Sequence, residues 1–312
     1  MNQKSKDFLN SEQLIENIKS KGINIINEDN TKNILKKNNY YYITGYKGLF
    51  KNLDGSYKNG VYFEDIYELY KFDKKIKLIF SEVLFEIEQS VKTVFCNNFC
   101  EWFGHKDIDL VNPNNYDNTN PHLLPVINKL NNQMSWYGVN NHAVAYYANN
   151  YSFIPIWVLV KVLTFGMIRD LIMVQKSNAK DHVCKMIVND STLKVNEVQT
   201  MLELLITFRN ICCHDDKLID YIHNKVNIMD TPYHSNFNLK KDNNGNYITG
   251  KKDMFAAIIS IKYFVDASTF AVFITNLSKA INDYLEVSNG ISREELLNYM
   301  NLPENFIDII NM

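Results

Sequence analysis

Apolar residues recur at three- and four-residue spacing through most of this chain, as they do in helices that bury one face. The clearest stretch spans residues 195–221, and its apolar positions are Val198, Met201, Leu202, Leu205, Phe208 and Cys212. A longer stretch, 64–103, contains neither glycine nor proline and predicts one long helix, or two joined at a kink. The pattern therefore predicts an all-α fold with long helices.

Shorter periodic stretches predict the other helices, and capping residues, prolines and glycines mark their ends. The predicted spans are 12–21, 29–37, 122–136, 142–149, 155–175, 181–188, 254–285, 292–300 and 303–310. The 155–175 span opens on Pro155, which suits the first turn of a helix.

Four segments interrupt the helical pattern. The aromatic block 38–50, NNYYYITGYKGLF, predicts a turn packed on the core. Residues 53–60 carry Asp-Gly and Asn-Gly, turn dipeptides that suit a small hairpin. The polar stretch 104–121 predicts a loop and is the best internal boundary, and 224–252 predicts a second loop or small hairpin.

The domain prediction follows from these interruptions. Residues 1–60 form an N-terminal helical and tyrosine-rich segment packed on a main helical domain, 61–312. The alternative is one continuous domain over 1–312, since a chain of this length can bury one large core.

Composition supports a globular helical protein without a strong electrostatic field. Hydrophobic residues make up 46% of the chain, and only 11 glycines and 6 prolines interrupt it. The formal net charge is −2, so any contact with nucleic acid has to come from a local patch.

Cysteine usage and hydropathy predict a cytoplasmic protein. The five cysteines are an odd number without disulfide-like spacing, which fits a reducing compartment. Residues 1–10 lack an apolar signal core. The most hydrophobic run, 153–168, is shorter than a membrane span and contains Lys161, so no membrane association is predicted.

The motif RNICCH, residues 209–214, lies within the clearest helical stretch, 195–221. Arg209 falls at the edge of the apolar stripe, where a permanent charge requires a carboxylate or phosphate partner. Asn210 and His214 are four residues apart and share a face, so the amide can orient the imidazole. Arg209 and His214 are rotated by roughly 140° and separated by about 7.5 Å in a straight helix. Either the helix ends or kinks near His214, or two copies of the motif meet across a partner.

The Arg-x4-His spacing, with the polar Asn210 after the arginine, resembles the signature of the HEPN superfamily of helical ribonucleases and nucleotide-binding domains. Three further blocks resemble those of Abi-like abortive-infection proteins of the AbiD and AbiF type, in the same order. They are NNYYYITGYKGLF, LYKFDKKIKLIFSEVLFEIE and IPIWVLVKVLTFGMIRDL. The resemblance covers most of residues 14–223 and implies a HEPN-type helical bundle with additional N- and C-terminal helices.

The resemblance implies a metal-independent endoribonuclease that needs no cofactor. His214 would transfer protons, Arg209 would neutralise charge on the phosphate, and Asn210 would complete the catalytic set. The expected products are a 2′,3′-cyclic phosphate and a 5′-hydroxyl, and DNA should resist because it lacks the 2′-hydroxyl. No metal site is predicted.

The resemblance also implies the partners of this protein. HEPN motifs commonly face each other across a homodimer, and family members act in phage defence as toxins of toxin-antitoxin systems. AbiF-like members are associated with a small structured RNA, so the resemblance implies a small noncoding RNA antitoxin as a candidate partner. The alternative is a non-catalytic RNA-binding protein held in complex with a small regulatory RNA, and a third interpretation is a purely structural scaffold.

A structural explanation of the motif competes with the catalytic one. Arg209 would pair with a core carboxylate, Glu86 or Glu88, while His214 would cap the C-terminus of its helix. Asp215 and Asp216 follow directly, and their negative charge favours a protonated His214 while it repels phosphate.

Two other groups of residues carry weaker predictions. Lys71, Lys74, Lys75 and Lys77 form a cluster that would contact RNA phosphates, although lysine-rich faces are usually only solvated surface. Cys96, Cys100 and His105 suggest zinc, but Cys-x3-Cys on a helix without a fourth ligand is more often core packing.

Overall fold

The computed structural model describes residues 7–214 and 216–312, and of residues 137–139 only the backbone. It confirms the prediction of an all-α fold, since no β-strand occurs among the described residues. The first six residues of the predicted N-terminal segment lie outside the described part of the chain. In the described part, no helix combines the length and apolar character that crossing a bilayer would require.

The described α-helices, in chain order, are α1 (Ser11–Ser20), α2 (Glu28–Lys37), α3 (Tyr40–Thr44), α4 (Phe63–Phe103), α5 (Asp107–Val111), α6 (Leu123–Asn140), α7 (His142–Asn150), α8 (Ile156–Val162), α9 (Phe165–Val174), α10 (Ser177–Met186), α11 (Val195–Cys213), α12 (Pro232–Asn236), α13 (Met254–Phe264), α14 (Ala267–Val287) and α15 (Arg293–Tyr299). Short 3-10 helices span Gly45–Phe50, Pro113–Asn115 and Phe306–Asn311.

Helix α4 is the central element of the fold. It runs without interruption for 41 residues, about 60 Å at the α-helical rise, and this resolves the two predicted alternatives in favour of one helix. Helices α11 and α14 pack against it, and so do α8, α9 and α10. Its buried side chains include Phe80, Phe95 and Phe99, none of which is measurably exposed.

Two spans that the apolar pattern predicted as single helices are each divided by a capping residue. Span 155–175 breaks before Thr164, whose hydroxyl accepts a hydrogen bond from the Met167 N–H at 3.2 Å. Span 254–285 breaks before Asp266, whose carboxylate accepts from the N–H groups of Ser268 and Thr269. A side-chain cap satisfies backbone donors that continuing the helix would have bonded, so the chain turns although the apolar spacing continues.

The aromatic block 38–50 is helical, which corrects the predicted turn. Helix α3 begins after Asn39, whose side chain accepts from the Tyr41 N–H at 2.9 Å, and the 3-10 helix Gly45–Phe50 follows. Ile43 and Phe50 are buried.

Each of the two predicted hairpins contains one isolated β-bridge and no β-strand. Lys51 and Tyr57 form one antiparallel bridge at the turn 53–60, and Lys241 and Tyr247 form another within 224–252. The polar stretch 104–121 contains α5, and it is attached to the core through Tyr116, which is 1% exposed and donates to the Leu110 carbonyl at 2.7 Å.

A buried histidine organises the 224–252 segment, and no pattern in the sequence indicated it. His234 has no exposed surface, its Nδ1 accepts from the Thr231 N–H at 3.0 Å, and its Nε2 lies 2.9 Å from the Gly250 carbonyl oxygen. This arrangement requires a neutral ring with its proton on Nε2. Burial lowers the pKa of His234 below its ordinary value of 6.5.

We expect acidification to weaken this segment. A group whose folded pKa is lowered stabilises the fold above its unfolded pKa of 6.5, and that contribution is lost as the pH falls toward the folded pKa. Urea unfolding at about pH 7.5 and 5.5 should show this loss, which cannot exceed about 1.4 kcal/mol per pH unit for one group. The variant His234→Gln should lose less on acidification, and an equal loss in both proteins would contradict the assignment to His234.

Candidate functional site at the end of helix α11

Helix α11 ends at the motif. Cys213 is its last residue, and His214 occupies the C-cap position with extended backbone angles of φ −116° and ψ 168°. The His214 N–H donates to the carbonyl oxygens of Asn210 and Ile211, each at 3.2 Å. The sequence left open whether the helix ends near His214, and the structure shows that it does.

Arg209 is bound to a carboxylate of helix α4. Its Nε donates to Glu88 Oε2 at 2.7 Å, and its guanidinium carbon lies 5.5 Å from the centre of the Phe85 ring. The Glu88 side chain is 9% exposed and also pairs with Lys92 at 2.7 Å. This is the contact that the structural explanation of the motif predicted, with Glu88 and not Glu86 as the acid, and His214 stands at the C-cap as that explanation also expected.

The pair with Glu88 occupies only part of the guanidinium fork. Among the described residues, the Arg209 side chain makes one hydrogen bond, through Nε, and 28% of this side chain is exposed. Arginine presents several further N–H donors in the same plane, in a geometry that suits phosphate oxygens.

The other residues of the motif lie at the protein surface. Asn210 and His214 are both exposed, and the hydrogen bond between them joins their backbones, so the predicted amide-to-imidazole contact is not among the described interactions. Asp216 is exposed as well. Asp215, the other predicted source of negative charge, lies outside the described residues.

A buried carboxylate holds the segment that follows His214, and the sequence analysis missed it. Asp73 of α4 has no exposed surface. Its Oδ1 accepts from the Ile219 N–H at 2.7 Å and the Leu218 N–H at 3.2 Å, and its Oδ2 accepts from the Tyr46 hydroxyl at 2.6 Å. Burial raises the pKa of Asp73, and the hydrogen bonds and the Lys77 charge act in the opposite direction.

Lys77 fixes the same segment closer to the motif. Its Nζ donates to the backbone carbonyl of Asp216 at 3.0 Å and lies 3.5 Å from Asp73 Oδ2. Asp73 and Lys77 therefore form a buried ion pair, one turn apart on α4, that connects helix α4 to residues 216–219. In the sequence, this ion pair could have been predicted from two opposite charges four residues apart within the apolar stripe of 64–103.

Lys217 brings three distant parts of the chain together beside this anchor. Its ammonium donates to the Gly45 carbonyl at 3.1 Å, to Asp220 at 2.6 Å and to the Tyr299 hydroxyl at 3.3 Å. The aromatic N-terminal block, the segment after the motif and helix α15 meet at this one side chain.

The structure removes Lys77 from the predicted lysine cluster and pairs the other three lysines with neighbouring side chains. Lys71 pairs with Glu68 at 2.6 Å, Lys75 pairs with Asp283 at 2.6 Å, and Lys74 lies 4.3 Å from the centre of the Tyr70 ring. Lys77 is 6% exposed, which corrects its predicted place on a solvated face, because the apolar stripe carries it into the core. Phosphate contact by the other three stays a prediction.

Cys96 lies in the hydrophobic core, and Cys100 packs against it. The Cys96 and Cys100 sulfur atoms are 4.0 Å apart, and burial raises the pKa of Cys96 to about 12. His105 instead stacks on Trp157, with ring centres 6.0 Å apart. No group of three or more histidine, cysteine or carboxylate side chains suited to a metal ion occurs in the part of the chain that the structure describes.

The fold and site define an all-helical protein. Its RNICCH motif lies at the surface where α11 ends, and Arg209 of this motif is bound to Glu88 of α4, the longest helix. The family model described as Abi-like protein matches residues 33–220. This match covers more than half of the 312 residues, and it extends from α2 through the motif to the segment anchored by Asp73. The chain belongs to the Abi-like family. No curated protein and no solved structure matches it.

Proposed function

We propose that this protein is a metal-independent endoribonuclease of the HEPN type that acts as a toxin in abortive infection, with Arg209, Asn210 and His214 as its catalytic residues. The observation that carries the proposal is the placement of the motif. His214 is exposed where α11 ends, and the partly exposed Arg209 lies on the last turns of the same helix. Membership in the Abi-like family supports the role in defence.

The chemistry of RNA cleavage suits these residue types. Attack by the ribose 2′-hydroxyl requires removal of its proton, stabilisation of the charged phosphorane and protonation of the leaving 5′-oxygen. Imidazole exchanges protons near neutral pH, which assigns proton transfer to His214. The guanidinium of Arg209 binds phosphate oxygens more strongly as negative charge develops.

Two copies of the motif are required in this proposal. One imidazole cannot act at both ends of an in-line displacement, whereas two copies related by twofold symmetry can supply a base and an acid. The exposed position of His214 at a helix end allows a second subunit to approach it. We therefore include a homodimer in the proposal, with a small noncoding RNA as its regulator.

The test is RNA cleavage by the purified protein in the presence of EDTA. We expect products that end in a 2′,3′-cyclic phosphate and a 5′-hydroxyl, and no cleavage of DNA of the same sequence. Specific activity should fall on dilution as the dimer dissociates. A dependence on added divalent metal, or undiminished activity of a monomer, would contradict the proposal.

A second candidate function is favoured by the contact between Arg209 and Glu88. A guanidinium already held by a buried carboxylate has less charge to offer a transition state, which suits a protein that binds RNA without cutting it. In that case a small regulatory RNA would be its bound partner. RNA binding without cleavage, unchanged by His214→Ala, would support this second function over the first.

A further inference from the structure

All three tryptophans of the chain are exposed. Trp102, Trp136 and Trp157 retain 45%, 60% and 51% of their accessible surface. Tryptophan is highly buried on average, and exposed aromatic residues that are grouped together mark binding surfaces. These side chains are therefore candidates for contact with another molecule.

Two of the tryptophans are held in orientation by a histidine. Trp102 stacks on His182 with ring centres 5.8 Å apart and planes at 28°. Trp157 stacks on His105 at 6.0 Å and 21°. One face of each indole thus rests on an imidazole, and about half of each side chain remains accessible to a further flat ring.

Both stacks lie at the C-terminal end of α4. Trp102 lies in the last turn of α4, and His105 follows directly after Gly104. The Ile156 N–H donates to the His105 carbonyl at 2.9 Å, which places Trp157 beside this end of the helix.

Exposed cations accompany the aromatic rings. Lys106 lies 5.2 Å from the centre of the Phe153 ring, and Lys176 lies 5.5 Å from that of Phe103. Both lysines are exposed.

The neighbouring carboxylates are mostly engaged. Asp107 accepts from the Ile154 N–H at 3.2 Å, and Asp109 accepts from the Lys106 N–H at 3.0 Å. Asp181 pairs with Lys185 at 2.8 Å. Glu101 is exposed and adjoins Trp102, and Asp107 and Asp109 keep their negative charge while they accept hydrogen bonds.

We propose that Trp102, His105, Lys106, Trp157, Lys176 and His182 form a tryptophan face that binds single-stranded RNA. Flat rings interleaved with cations are how proteins hold unpaired nucleotides, because every base has a face that stacks and a phosphate that carries charge.

The tryptophan face is separate from the RNICCH motif and lies within reach of the same RNA molecule. Glu88, which binds Arg209, and Trp102 are 14 positions apart on one continuous helix, about 21 Å along its axis. If the RNA bound here is the substrate, it is unpaired over several nucleotides beside the point of cleavage. That part of the inference rests on the proposed function.

Binding is tested with a single-stranded twelve-nucleotide oligoadenylate and a duplex of equal length, in the His214→Ala background so that the RNA stays intact. Fluorescence anisotropy should show a preference for the single strand, and its binding should quench tryptophan fluorescence. We expect Trp102→Ala and Trp157→Ala each to weaken single-strand affinity about tenfold. Trp102→Phe and Trp157→Phe, which keep a flat ring, should weaken it less and test the proposal if an alanine variant fails to fold.

The matched control is Phe8→Ala, an aromatic side chain that is 90% exposed. It precedes α1 and α2, which are attached near the start of α4 through hydrogen bonds from the Ile26 and Asn27 N–H groups to Glu64. This variant should bind RNA like the parent protein.

The outcomes separate this inference from the proposed function. Cleavage of the dinucleotide UpA, too short to reach the tryptophan face, should be unchanged by the tryptophan substitutions made in the otherwise unaltered protein. Tryptophan-dependent RNA binding by a protein that cleaves nothing would leave the inference standing and remove the nuclease. Unchanged single-strand affinity in all the tryptophan variants would overturn the inference, as would an effect on self-association alone.

Discussion

Replacing His214 with alanine is expected to lower the rate of RNA cleavage by about 10²–10⁴-fold, the usual contribution of a residue that transfers protons. The fold should be unaffected, because His214 is exposed and its described hydrogen bonds use the backbone N–H, which alanine retains. The effect should therefore appear in the rate constant and not in the amount of folded protein.

The measurement is single-turnover cleavage of a labelled RNA at saturating enzyme, with thermal unfolding of each variant recorded in parallel. His122→Ala is the matched control, since His122 is also an exposed histidine and lies in a different loop. If His214→Ala and His122→Ala cleave RNA equally fast, His214 has no catalytic role.

The largest expected effect on stability comes from Asp73→Ala. This substitution leaves the buried ammonium of Lys77 without its carboxylate, and it removes the acceptor for Tyr46 and for the N–H groups of Leu218 and Ile219. Breaking a buried ion pair by removing one partner costs about 3–5 kcal/mol, because the remaining charge is uncompensated.

Urea unfolding of Asp73→Ala and the parent protein at neutral pH gives the difference in free energy directly. Tyr46→Phe removes one hydrogen bond of the same network and should cost only about 1–2 kcal/mol. The double variant Asp73→Leu with Lys77→Met, which leaves no unpaired charge, should be less destabilised than Asp73→Ala. A loss below about 1 kcal/mol for Asp73→Ala would show that the pair is not an anchor.

Asp73 also bears on the proposed activity through the position of the motif. It binds the N–H groups of residues 218 and 219, while Lys77 binds the carbonyl of Asp216, two residues after His214. The described hydrogen bonds of Asp73 go to Tyr46, Leu218 and Ile219 and to none of the proposed catalytic residues, so Asp73 is a positioning residue in the proposed mechanism.

Sequence reasoning was most accurate where local information decides the structure. Helices α4 and α11 follow from apolar spacing over long stretches that lack breakers. The same spacing misled at Thr164 and Asp266, because a single capping residue can end a helix inside a continuous apolar pattern. The aromatic block 38–50 was predicted as a turn because its glycines resemble punctuation, whereas burial of Ile43 and Phe50 supports short helices.

The candidate site shows the same division. The edge position of Arg209 was enough to predict an anionic partner, and the structure selected Glu88 over Glu86. Glu86 is exposed and approaches Thr269 at 3.5 Å, whereas Glu88 lies on the side of α4 that faces α11. Which of two acids two residues apart meets the arginine depends on how the helices are rotated against each other, and helix packing alone sets that rotation.

The sequence by itself determined that this chain is helical, where its two main helices run, and that an arginine, an asparagine and a histidine lie close together along one of them. Each of these features depends on residues within a few positions of one another. Only the tertiary structure decided that Glu88 holds Arg209, and that Asp73 binds backbone groups 145 and 146 positions further along the chain. The energy of a buried carboxylate depends on the groups packed around it in space, and spacing along the chain does not specify those groups.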